Sequence, residues 1–89
     1  MKKIMKILIN AVGEREVMLP KDSVILSAQF IDDSFCIFAI VDVDEPNELR
    51  KFLIIGTGQP FQFNGLKFIA TVIQEKEYES LTWHIFERS

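Results

Sequence analysis

The chain has one histidine and one cysteine among its 89 residues, and these bound the acid–base and nucleophilic chemistry open to it. Nucleophilic catalysis needs a nucleophile, a base and a group to orient the base. His84 stands beside Trp83 near the end of the chain. Cys36 lies within Phe35-Cys36-Ile37-Phe38, an apolar run in which it reads as a small buried hydrophobe. An enzymatic role, as a hydrolase or lyase, would rest on His84 alone as acid or base, so a non-enzymatic reading is preferred. The densest carboxylates, Asp42, Asp44, Glu45 and Glu48, lack the EF-hand spacing and read as a solvated loop. Zinc would need further histidines or cysteines. No metal or cofactor is expected.

A different kind of chemistry is suggested by Gly56-Thr57-Gly58-Gln59-Pro60. Glycines allow positive φ and close approach of a ligand, and successive amides in such a turn can cradle an anion. Thr57 adds a hydroxyl and Gln59 an amide. Phe61, Trp83 and His84 are candidates for stacking on a base, and Arg50 or Lys51 for supplying charge. The last two alternate along one strand, so at most one points at any given site. The segment has no P-loop lysine and does not lead into a helix, so neither standard phosphate-loop motif applies. The plainer alternative is that two glycines turn the chain and Pro60 fixes its exit. Asn64-Gly65 predicts a type I′ hairpin between Phe61–Phe63 and Leu66–Phe68.

The elements that must position these residues read as short strands. Lys3–Ile9 is Ile-rich, with Gly13 in the turn that follows; Glu16–Leu19 alternates and stops at Pro20. Val24–Ile31 follows, then a turn at Asp32-Asp33-Ser34. Phe35–Val43 is apolar on both faces, which predicts cover on both sides. Leu49–Ile55 is a fifth strand, preferred over a short helix across Pro46–Ile54 because Phe52-Leu53-Ile54-Ile55 is β-prone and a hairpin back from the preceding strand is short. Leu66–Gln74 and Leu81–Glu87 are the last two, with Leu81, Trp83 and Ile85 on one face and His84 on the other. Residues 1–89 form a single all-β domain of about seven antiparallel strands, a sandwich or open barrel.

Such a short chain buries only about 60–65% of its unfolded surface. Yet 48% of its residues are hydrophobic and mean hydropathy is +0.17, so an oligomer that covers apolar surface is expected. Net charge is −3 with no extended basic run, which argues against binding long nucleic acid. A small phosphorylated ligand needs only a few local donors. The single cysteine suits a reducing compartment. The apolar stretch after the N-terminal lysines is cut at Asn10, and no segment reaches the 18 or so apolar residues of a membrane helix, so a soluble, cytoplasmic protein is expected.

Five segments in order carry a resemblance: Leu19-Pro20, Ile25-Leu26-Ser27-Ala28-Gln29, Phe38-Ala39-Ile40-Val41-Asp42, Gly56-Thr57-Gly58-Gln59-Pro60 and Trp83-His84-Ile85-Phe86-Glu87. Together they resemble a family of small uncharacterised domain proteins common in phage genomes. Its pattern reads roughly LP, IL-x-x-Q, W-A-L-V-D, GTGHP and H-V-F-E. Gln59 stands where that family usually has His, and Phe38 where it often has Trp. The resemblance implies a phage or prophage origin and supplies no activity. By analogy of lifestyle it suggests a homo-oligomeric, non-enzymatic sponge for a nucleotide-derived immune signal, a cyclic oligonucleotide or an ADP-ribose derivative. Its ligand contacts would be Gly56, Thr57, Gly58, Gln59, Phe61, Trp83, His84 and Arg50. The alternative is a phage accessory protein that binds a host or virion protein through an apolar face.

Overall fold

Seven apolar, β-branched and aromatic segments separated by polar turns give seven strands: β1 Lys2–Leu8, β2 Gly13–Pro20, β3 Val24–Ile31, β4 Ser34–Asp42, β5 Asn47–Gly56, β6 Leu66–Glu75 and β7 Ser80–Arg88. The computed structural model describes residues 1–9 and 12–89; Asn10, which cuts the first apolar stretch, lies outside them. No helix forms among the described residues, and so none that is long and apolar enough to cross a membrane. The strands make two antiparallel sheets, β1-β4-β3 and β2-β5-β7-β6, that are not closed into a barrel. The edge strands β3 and β6 run close together without a ladder. Each has a register shift there, between Ile25 and Ser27 in β3 and between Phe68 and Ala70 in β6. Such bulges bend an edge and end its pairing, which keeps the seam from zipping into one continuous sheet.

From Asn47 onward the segment is strand, because β5 is paired on both sides, to β2 and to β7. It is not reached by a hairpin from β4, however. Residues 43–46 carry the chain from one sheet to the other. Gly13 is the first residue of β2 rather than part of a turn, with φ of 88°. The β3–β4 hairpin turns on Asp32 and Asp33, with φ of 52° and 62°. Two consecutive left-handed residues are the shape of a type I′ turn, normally filled by Asn-Gly. Short polar side chains tolerate it best among the non-glycine residues.

Between the sheets lie Ile9, Leu19, Ala28, Phe35, Ile37, Phe52, Ile54, Val72 and Ile85, all buried. Along β4 the inner residues Phe35, Ile37, Ala39 and Val41 are buried, while outer Phe38 and Ile40 are only half-buried. Ile4 and Val24, which flank Ile40 across the sheet, are exposed. The protein therefore covers this two-sided strand fully on its inner side and only in part, at Cys36, on its outer side. Cys36 is buried on β4, with its thiol directed at the Gln29 carbonyl oxygen, 3.6 Å away.

Arg50 shares the inner face of β5 with Phe52 and Ile54 and lies at one end of the sandwich. Its Nε and Nη2 donate to the two carboxylate oxygens of Glu87, and Nη1 donates to the Ser23 carbonyl at 2.9 Å. The bond to Glu87 raises the guanidinium's already high pKa. The fork ties β5 to β7 and, through Ser23, the four-stranded sheet to the start of β3. Both side chains are largely shielded, at 17% and 15% exposure, so losing one partner strands a charge. Arg50→Ala should cost about 3 kcal/mol in urea denaturation, and Arg50→Met with Glu87→Leu should regain most of it. Equal losses in the single and double variants would show that the pair contributes little beyond its packing.

Candidate functional site

Strands β5 and β6 both pair antiparallel to β7 and so run parallel to each other with β7 between them. β5 ends at Gly56, opposite Trp83, while β6 begins at Leu66, opposite Arg88. The connection must therefore return along β7, a distance of about 17 Å. Residues 57–65 make this journey over the outer face of the four-stranded sheet. There Phe61 and Phe63 close over Phe86, with ring centroids 5.4 and 6.1 Å away, and Phe68 flanks the same ring at 5.7 Å. Phe86 is buried by them, beside Leu53 and Ile55.

The return begins with a tight turn. Gln59 N–H donates to the Gly56 carbonyl at 3.2 Å, and Gly58 has φ of 91°, while Thr57 is not left-handed. This φ pattern is that of a type II turn, which needs glycine at its third position. Gly56 has no positive φ. Its lack of a side chain serves packing instead, since a Cβ would stand 3.3 Å from Gln59 Oε1 and 3.4 Å from the Trp83 ring. The Gly56 amide donates to Gln59 Oε1 at 2.6 Å, and the Thr57 amide donates to the Thr82 carbonyl at 3.2 Å. Three of the four amides expected to form an anion cradle are thus already engaged within the protein.

Beside this turn is a concavity of about 260 Å³. Ile55, Phe61 and Phe86 supply its apolar walls, and the 56–59 turn and His84 its polar end. His84 points outward from β7 between Ile55 of β5 and Thr71 of β6. Its ring is gripped at both nitrogens, with Thr57 Oγ1 2.7 Å from Nε2 and Thr71 Oγ1 3.0 Å from Nδ1. In the neutral imidazole one hydroxyl accepts and the other donates, which fixes the ring plane. The arrangement orients the imidazole, and among the described residues its partners are these two hydroxyls, with no carboxylate or thiol to activate it. Cys36 lies on the outer face of the opposite sheet, turned away from His84.

Six of the residues singled out by the sequence therefore meet at one concavity: Gly56, Thr57, Gly58, Gln59, Phe61 and His84. Trp83 does not join them. It faces the interior, packs edge-on against Phe35 at 5.6 Å and donates from Nε1 to Gln74 Oε1 at 3.0 Å. Arg50 lies on the inner face with Glu87. The outward Lys51 is four residues along β5 from Ile55, about 13 Å away. Asn64-Gly65 does turn the chain, with Leu66 N–H donating to the Phe63 carbonyl at 3.1 Å. Only Gly65 is left-handed, however, so the turn is not type I′, and Phe61–Phe63 do not pair with Leu66–Phe68. The crossover forbids that hairpin, because residues 61–63 lie over β7. Of the acidic group, Asp42 and Asp44 accept from the terminal ammonium of Met1 and Glu48 accepts from the Asp22 amide. Among the described residues no group of three His, Cys, Asp or Glu could hold a metal ion.

Sequence reasoning missed Thr71, Phe86 and Ile55. Phe86 was within reach, since period-two alternation puts it on the face of His84. Thr71 depends on the β6–β7 register, which no local pattern reveals.

The chain belongs to the family described as a domain of unknown function, DUF7352, whose model matches residues 1–89. No curated protein and no solved structure matches it.

A Cβ at position 58 meets no atom of the described residues within 4 Å beyond its chain neighbours, so an alanine there acts through the backbone. Gly58→Ala should lower stability by about 1–2 kcal/mol in denaturant titration. A neutral result would mean that the turn has another accessible conformation.

Proposed function

We propose that this member of the DUF7352 family is a non-catalytic binding protein that receives its ligand in the concavity beside the 57–65 crossover. The observation that carries the proposal is convergence: the glycine turn and Phe61, which are near neighbours in sequence, and His84, 27 residues after Thr57, line one recess of apolar walls and oriented polar groups. In the setting suggested by the resemblance to small phage proteins, the ligand is a nucleotide-derived immune signal, sequestered in the host bacterial cytoplasm. Homo-oligomerisation belongs to this proposal and is supported by the exposed apolar side chains on both outer sheet faces, Ile4, Leu8 and Val24 on one and Phe63 and Phe68 on the other.

The test is capture and release. Protein is mixed with cyclic di- and trinucleotides and cyclic ADP-ribose isomers, the free pool is measured by mass spectrometry, and the protein is then heat-denatured. A signal that disappears and returns chemically intact is expected. A ligand returned altered would overturn the non-catalytic reading and turn attention to His84. Gly58→Val loses stability whether or not a ligand binds, so the informative variants are Phe61→Ala and His84→Ala.

A second reading is a protein partner docked on the same face. It is favoured by the exposure of Phe63 and Phe68, at 63% and 53%, beside the recess. Under this reading Phe63→Ser with Phe68→Ser should abolish partner capture, with capture of small molecules unchanged.

A further inference from the structure

The shape and charge of the concavity narrow the part of a ligand it can hold. This inference rests on the reading of the concavity as a binding site. Its volume, about 260 Å³, is at or below the lower limit for drug-sized ligands, enough for one ring and too small for a whole dinucleotide. Among the described residues no lysine or arginine lines it. Arg50 is held by Glu87 on the other face of the sheet, and Arg88 is tied to Glu14. Phosphate recognition relies on cationic side chains or on several free amides aimed at one point. Here the amides of Gly56, Thr57 and Gln59 are already donated to protein acceptors.

What the recess offers instead suits an uncharged flat ring. The Phe61 and Phe86 rings stand 5.4 Å apart and tilted by 39°, an aromatic corner against which a ring can stack. Polar groups lie at one end only. Gln59 uses Oε1 to accept from Gly56, which leaves its amide N–H groups as donors; His84, engaged at both ring nitrogens by Thr57 and Thr71, contributes ring surface held in a fixed plane. A nucleobase has this make-up, with two apolar faces and a hydrogen-bonding edge. We propose that the concavity is a nucleobase site that takes the base of its ligand and leaves ribose and phosphate outside.

The experiment titrates ¹⁵N-labelled protein by NMR with adenosine, guanosine, cytidine and uridine, with each 5′-monophosphate, and with ribose 5-phosphate. At least one nucleoside should bind, shifting the amides of Thr57, Gly58 and His84, with its monophosphate within about threefold in Kd. Ribose 5-phosphate should not bind. Phe61→Ala should weaken nucleoside binding roughly tenfold by removing one stacking wall. Phe61 is 45% exposed, and the dispersion of the variant's own ¹⁵N spectrum confirms the fold before titration. A monophosphate that binds about tenfold or more better than its nucleoside, or binding of ribose 5-phosphate, would overturn the base-site inference and leave the concavity as a binding site. Binding by none of these probes also overturns it. If cyclic nucleotides are then still captured, the binding-site reading survives; if they are not, both fail.

Discussion

The organising constraint is the placement of β7 between two strands that run parallel to each other. An antiparallel neighbour can be reached by a tight turn, whereas a parallel one requires the chain to travel back the length of the sheet. In doubly wound folds a helix usually makes that return and covers the sheet. Here a short extended segment does so, and it is too narrow to cover the whole face. The crossover therefore both buries Phe86 and leaves a recess beside itself. The candidate site is made by this segment together with Ile55 and Gly56 of β5 and His84 and Phe86 of β7.

That arrangement gives the two glycines of the turn different tasks. Gly58 provides a backbone conformation, and Gly56 provides space for the Trp83 ring behind the strand. The amides of Gly56, Thr57 and Gln59 serve the fold. Gln59 closes its own turn, and Thr57 extends the β5–β7 ladder by one bond. The Gly-Thr-Gly segment is thus a structural corner that lines the recess with the backbone of its two glycines and with Thr57.

Strand number and position were legible because hydrophobic alternation is local. Faces were legible too: Trp83 and His84 are opposed in the structure as period two requires, so only one of them could belong to any single site. Sheet membership was not legible, since pairing is decided by contacts far apart in sequence. The Asn64-Gly65 turn shows the difficulty. Its local chemistry favours a hairpin, but β6 finds a better partner in β7, and the turn adapts with one left-handed residue instead of two. Arg50 looked like a free cation because Glu87, which neutralises it, comes 37 residues later.

The chain's single tryptophan sits one backbone layer behind the recess, against Gly56, without lining it. Indole emission is sensitive to small changes in neighbouring polarity and packing. The molecule thus has an intrinsic optical reporter separated from the candidate pocket by only the thickness of a strand. Movement of the 56–59 turn can alter the Trp83 spectrum with no label attached and no residue of the recess replaced.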